Sequence, residues 1–132
     1  MSDQHRPVRL VLDTSAIAAW VRGSVSVGEL LGEVDAEGGA AVVPLPCLIE
    51  AAAAVTTDRE WLDLLVDHSA TFVLADDPED WRMLSATRAI LGRADLASAA
   101  WWAVEHSVDV LTGHGPLYAG MGGGSIVLPI ED

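Results

Sequence analysis

Lysine is missing altogether from this 132-residue chain, which sets seven arginines against 20 acidic residues for a formal net charge of -13. A surface of that sign repels phosphate backbones at long range, which counts against a nucleic-acid binder that works through a basic face. An enzyme that gathers metal ions among its acids is not excluded, because bound cations invert the local field. Cysteine is nearly missing too. Cys47 stands alone, so no intramolecular disulfide can form, and with no CxxC it reads as a small core residue. No apolar run reaches the roughly 20 residues that a membrane span needs. The segment Met1-Ser2-Asp3-Gln4-His5-Arg6 lacks the apolar stretch of a signal peptide, and a cytoplasmic protein without membrane contact is the expectation. Internal repeats and linkers are also lacking, so residues 1–132 read as a single domain with flexible termini at 1–7 and 129–132.

What is present is a series of short apolar runs alternating with helical patterns. Arg9 to Leu12, bounded by Pro7 and Asp13-Thr14-Ser15, reads as a buried strand. A brief helix over Ala16–Val21 follows. Ser26 then precedes Val27, Leu30, Leu31 and Val34 at helical spacing, up to the stop at Gly38-Gly39. Ala40–Val43 is a second strand closed by Pro44. Pro46 suits the first turn of a helix that continues from Cys47 to Val55 through four consecutive alanines. Thr57-Asp58-Arg59-Glu60 has the spacing of a capping box for another helix through His68. Thr71–Leu74 is a third strand, and Asp77-Pro78-Glu79-Asp80 starts a helix that stops at Gly92. Asp95 to about His106 is apolar nearly all round, as in a helix buried on more than one side. Val108–Leu111 and Ser125–Leu128, the latter ended by Pro129, complete four or five strands. Such alternation predicts a mainly parallel sheet with helices on both faces.

Three carboxylates stand where such a sheet delivers side chains to one edge. Asp13 ends the first strand, Glu50 lies one turn into the helix after the second, and Asp95 opens the helix before the fourth. Each has an ordinary reading as well. Asp13 could cap the first helix, and Asp95 could cap its own while paired with Arg93. Glu50 sits among Leu48, Ile49 and alanines, where an unpaired carboxylate is costly to bury, so a cation should face it. His114 reads as a loop histidine or, more interestingly, as a metal ligand or proton carrier. Histidines 5, 68 and 106 have no metal-site spacing. Five tryptophans are mostly core, although Trp101 and Trp102 are adjacent in one helix and cannot face the same way, which leaves one for a partner chain.

Four stretches in register carry a family resemblance: Val11-Leu12-Asp13-Thr14-Ser15, Pro44-Leu45-Pro46-Cys47-Leu48-Ile49-Glu50-Ala51-Ala52, Asp95-Leu96-Ala97-Ser98-Ala99-Ala100 and Val110-Leu111-Thr112-Gly113-His114. From Val8 to about Tyr118 the chain resembles the PIN domain family, and especially VapC-type toxins of bacterial toxin–antitoxin pairs. The resemblance implies a three-layer α/β/α sandwich and a nuclease of the ribonuclease type, hydrolysing single-stranded RNA with magnesium (Mg2+) or manganese (Mn2+). By the same resemblance Asp13, Glu50 and Asp95 are the catalytic metal-binding acids, and Thr14, Ser15, Thr112 and His114 position metal or phosphate. A cognate antitoxin and a homodimer are the implied partners. Independently of any family, magnesium prefers a few carboxylates plus substrate phosphate, and a bound ion can activate water and neutralise a leaving oxygen. One departure stands out. The family places an acid or asparagine two residues after the threonine of the last motif, whereas Thr112-Gly113 is followed here by His114. With one anion fewer and an imidazole that suits manganese or zinc better than magnesium, the alternative is a PIN-like module that serves as a protein-binding or regulatory subunit. A DNA-directed nuclease is a third reading.

Overall fold

The structure, a computed structural model, describes residues 5–132. Five strands, β1 (Val8–Leu12), β2 (Ala40–Pro44), β3 (Thr71–Leu74), β4 (Asp109–Thr112) and β5 (Val127–Pro129), form one sheet in the order β3-β2-β1-β4-β5. Every neighbouring pair is parallel. Six helices alternate with them: α1 (Thr14–Val21), α2 (Val25–Ala36), α3 (Leu45–Ala54), α4 (Glu60–Val66), α5 (Trp81–Leu91) and α6 (Ala94–His106).

The sheet is apolar on both faces because both are covered. All five residues of β2 are buried, as are Leu10, Val11 and Leu12 of β1, the continuous pattern of a strand with helices on each side. The steps from β1 to β2 and from β2 to β3 run one way across the sheet, and the step from β3 to β4 runs back over it. With right-handed crossovers, helices from steps of opposite sense fall on opposite faces. The last of them, α6, packs on β1, β2 and β4. Seven of its side chains are buried, in line with its nearly all-round apolar sequence. The strand order also has a switch point. Chain direction across the sheet reverses between β1 and β4, and outside the carboxyl ends of those strands a crevice opens.

Local departures have local causes. The cap of α2 is Ser24, whose hydroxyl accepts from the Val27 N–H, and Ser26 lies inside the helix. The Thr57–Glu60 capping box does not form, because Asp58 takes a left-handed conformation (φ 58°) and no side chain caps α4. Arg59 instead donates to the carbonyls of Ala52 and Val55 at the end of α3. Three-residue β5 begins later than expected and includes Pro129, which an edge strand tolerates. Residues 129–132 were expected to be loose, yet the Ile130 N–H bonds the Thr112 carbonyl, and the Asp132 carboxylate takes the Ser24 hydroxyl and the Ser26 N–H. Of the other expected loose end, residues 1–4 lie outside the described part. Arg6 pairs with Asp35 at 2.9 Å, and Pro7 accepts from the Ala40 N–H.

Both tryptophans of the 101–102 pair are half-buried. Trp101 donates to Asp80 at 3.2 Å, and Trp102 packs against the core. The indoles that face outward are Trp61 and Trp81, the latter under the Arg82 guanidinium at 4.6 Å, and none of the five tryptophans is fully buried, where most were expected in the core.

Packing of α4 gives a direct check, since Leu65 is 0% exposed and its neighbour Leu64 52%. Leu65→Ala should cost about 2–5 kcal/mol of unfolding free energy in urea, and Leu64→Ala within about 0.5 kcal/mol of zero. Equal losses at the two positions would contradict the orientation of this helix.

Candidate functional site

Asp13 lies where β1 gives way to α1, 1% exposed. Its Oδ1 caps the helix by accepting the Ala16 N–H at 3.0 Å and also takes the Ser15 hydroxyl at 2.7 Å. The capping reading is therefore correct, but it accounts for only one oxygen. Oδ2 accepts the hydroxyl of Tyr118 at 2.8 Å, and Tyr118 is wholly buried. Having given its proton to Asp13, the Ser15 hydroxyl accepts the Gly113 N–H at 2.8 Å and faces Thr112 Oγ1 at 3.2 Å, so Thr112 is the donor there. Thr112 Oγ1 in turn accepts the His114 N–H at 2.9 Å. This chain of hydrogen bonds ties the end of β4 to the end of β1 across the switch point.

Asp95 is the second residue of α6 and 4% exposed. It is not the cap of that helix; Arg93 holds the cap position without a capping side chain. Arg93 pairs with Asp95 through two parallel bonds, Nε to Oδ1 at 3.0 Å and Nη2 to Oδ2 at 2.7 Å. Thr14 donates its hydroxyl to the same Oδ2 at 2.6 Å. Since Thr14 follows Asp13 in the chain, one residue and one hydrogen bond link the two buried acids. Cys47 closes the group from below, its thiol 3.3 Å from the Asp95 carbonyl oxygen.

Glu50 is placed differently from expectation. Helix α3 turns Cys47 and Ala51 inward, which leaves Ile49 and Glu50 exposed, so its carboxylate avoids the desolvation cost anticipated for it. It lines an open cavity of about 420 Å³ together with Arg88, Arg93, Asp95 and Leu45. The expected cation is thus at hand. His114 is exposed and lines a separate cleft with Ser15, Arg22 and Asp132.

Electrostatics mark Arg93 as the point on which the acids act. Its hydrogen bonds to Asp95 hold the guanidinium above its usual range, and the charges of Asp95, Glu50 and Asp13 all add to that. Burial, then the nearby Asp13 charge, pushes the Cys47 thiol well above its ordinary value, so it is inert as a nucleophile. Burial and the Asp13 charge likewise raise Tyr118 far above an ordinary phenol.

The donor set suits a hard dication: carboxylate oxygens, one of them on Asp13 and one on Asp95 with a single hydrogen bond each among the described residues. The cation now in place is Arg93. Among the described residues no three Asp, Glu, His or Cys side chains are grouped closely enough to hold one ion.

No protein-family model matches the chain, and no curated protein matches it in sequence. Among solved structures it is similar to PAE2754 from Pyrobaculum aerophilum, with a TM-score of 0.65 and 17% identity over 94% of this chain and 92% of that one. The fold is PIN-like. At such identity the likeness concerns the all-parallel sheet and its flanking helices. No helix among the described residues is long and apolar enough to cross a membrane.

Sequence reasoning did not find Tyr118, which reaches Asp13 from 105 positions away. Its one visible sign was that the chain has a single tyrosine, which also makes it easy to follow. Because the folded state holds the phenol proton more tightly than the unfolded chain, with its reference value of 10.0, this contribution to stability is complete below that pH and falls as pH rises beyond it. Tyrosinate absorbance should therefore appear only together with unfolding in an alkaline titration. Tyr118→Phe should cost about 1–3 kcal/mol at neutral pH by leaving Asp13 short of a donor. Ionisation of Tyr118 at an ordinary phenol pH in the folded protein would contradict this placement.

Proposed function

We propose that the chain is a divalent-metal-dependent endoribonuclease of PIN type that hydrolyses phosphodiester bonds in single-stranded RNA. The observation that carries this reading is the pair of buried carboxylates, Asp13 and Asp95, joined through Thr14 at the switch point of a PIN-like sheet, with Arg93 bonded to Asp95 beside the cavity that Glu50 lines. Buried acids with so few cations around them are costly unless something positive serves them. Asp13, Asp95 and Glu50 would hold magnesium or manganese, which supplies water activation and neutralises charge on the leaving oxygen.

The remaining side chains have positioning work. Tyr118, Ser15 and the Ala16 N–H fix the Asp13 carboxylate in one orientation, and Thr14 does the same for Asp95. Ser15 and Thr112 spend their hydroxyls on this inner network, so in this reading they orient Asp13 and do not reach for phosphate themselves. Arg88, exposed on the cavity rim, is the side chain free to meet a phosphate. A basic antitoxin suits the acidic chain, and a second copy suits the exposed Trp81, Met83 and Ile90 of α5; both partners belong to the proposal. The second reading, a regulatory module without hydrolysis, is favoured by one fact: Arg93 already neutralises Asp95.

In a mixed single-stranded RNA pool with manganese, the parent chain should cleave, and chelation should stop it. Asp13→Asn and Asp95→Asn should each lose at least about a hundredfold, more than the loss of an outer-sphere partner brings. DNA of the same sequences should remain intact. Absence of both cleavage and metal binding in the parent would establish the regulatory reading instead.

A further inference from the structure

We infer that the Arg93 guanidinium is the resident counter-ion of Asp95 at this carboxylate edge, and that a divalent ion reaches Asp95 only by displacing it. The inference rests on the metal-dependent reading above and adds a gate to that site.

Geometry supplies the first argument. Both guanidinium bonds to Asp95 are short and parallel, and they engage both oxygens that an ion would need. Thr14 already takes Oδ2 from the other side, so that oxygen has no lone pair left for a metal, and an ion at the remaining lone pair of Oδ1 would lie against the guanidinium charge. Chain connectivity is the second. Gly92 ends α5 in the left-handed region (φ 87°), and Arg93 follows in extended conformation at the start of α6, two residues before its partner. Arg93 is thus tethered to the site and reforms the pair without a search. Space is the third. The Arg93 side chain in this pair is 51% exposed while that of Asp95 is 4% exposed, and the adjoining cavity of about 420 Å³ gives the long side chain somewhere to go.

The charge balance allows an exchange but not a vacancy. A carboxylate as buried as Asp95 needs a cation, and swapping guanidinium for a dication keeps it neutralised throughout. Metal affinity is then reduced by the fraction of time that Arg93 holds the position. Apo protein would be protected against loss of its acid cluster to repulsion, at the cost of weak apparent binding.

Calorimetric titration with manganese of the parent chain, Arg93→Gln and Arg93→Lys tests this without reference to cleavage. Arg93→Gln should bind about tenfold tighter than the parent, a modest factor because the pair is half open to water. Arg93→Lys, which keeps a charge but loses the two-pronged grip, should fall between them. Equal or weaker binding by Arg93→Gln would overturn the gate while leaving the metal site standing. No binding by any of the three would overturn the metal-dependent reading itself. Should Arg93→Gln fail to fold, the parent decides. On saturation with magnesium the Arg93 Nε–H resonance should shift and lose its protection from solvent exchange, and an unchanged resonance with magnesium bound would refute the gate.

Discussion

Everything at the sheet edge depends on keeping the Asp13 carboxylate buried in a chain that is short of cations. Its charge is stabilised by hydrogen bonds from neutral donors, namely the Tyr118 and Ser15 hydroxyls and the Ala16 N–H. Those three bonds also fix structure, because they come from two places, the first turn of α1 and the buried tyrosine that follows β4. Ser15 extends the tie to Thr112 and Gly113. The two strands that meet at the switch point are therefore registered at their ends by the same network that orients the acid. Chemistry and topology are coupled here through one side chain.

Arg93 answers the same shortage for the second acid. With 7 arginines to serve 20 acidic residues, a guanidinium committed to Asp95 is a considerable share of the positive charge, and it lies where three acids act on it together. Oxygen-rich surroundings that favour a guanidinium also favour a dication, which is why the ion pair is compatible with metal binding and at the same time competes with it. The PIN-like fold accommodates either outcome, since a fold supplies the edge and the residues supply the chemistry.

Much of the architecture was legible before any coordinates. Strands β1, β2 and β3 fall where the apolar runs put them; for the central β1 and β2 this is because a strand covered on both faces shows itself as a short continuous hydrophobic run. Gly92 was readable as a helix stop for a similar reason: its left-handed conformation costs little only for glycine. Capping chemistry was less readable. Ser24 rather than Ser26 caps α2, and the Thr57–Glu60 pattern yields no cap at all, since which of several polar residues closes a helix depends on how the preceding chain arrives. The positions of Asp13 and Asp95 could be placed at a common edge from the strand pattern. What joins them could not. Tyr118 and Thr14 act through contacts across the fold, and the outward turn of Glu50 depends on which stripe of α3 meets the core, a choice that four small alanines leave undetermined by periodicity.

Arg93 holds the Asp95 carboxylate until a dication takes its place, with the Glu50 and Asp13 charges acting on the same guanidinium. Anomalous diffraction from crystals soaked in manganese tests that claim most directly. A manganese peak is expected at coordination distance from Asp13 and Asp95 oxygens, with the Arg93 guanidinium turned away into the neighbouring cavity. A fully soaked crystal without a peak there, and with the Arg93–Asp95 pair intact, would contradict it.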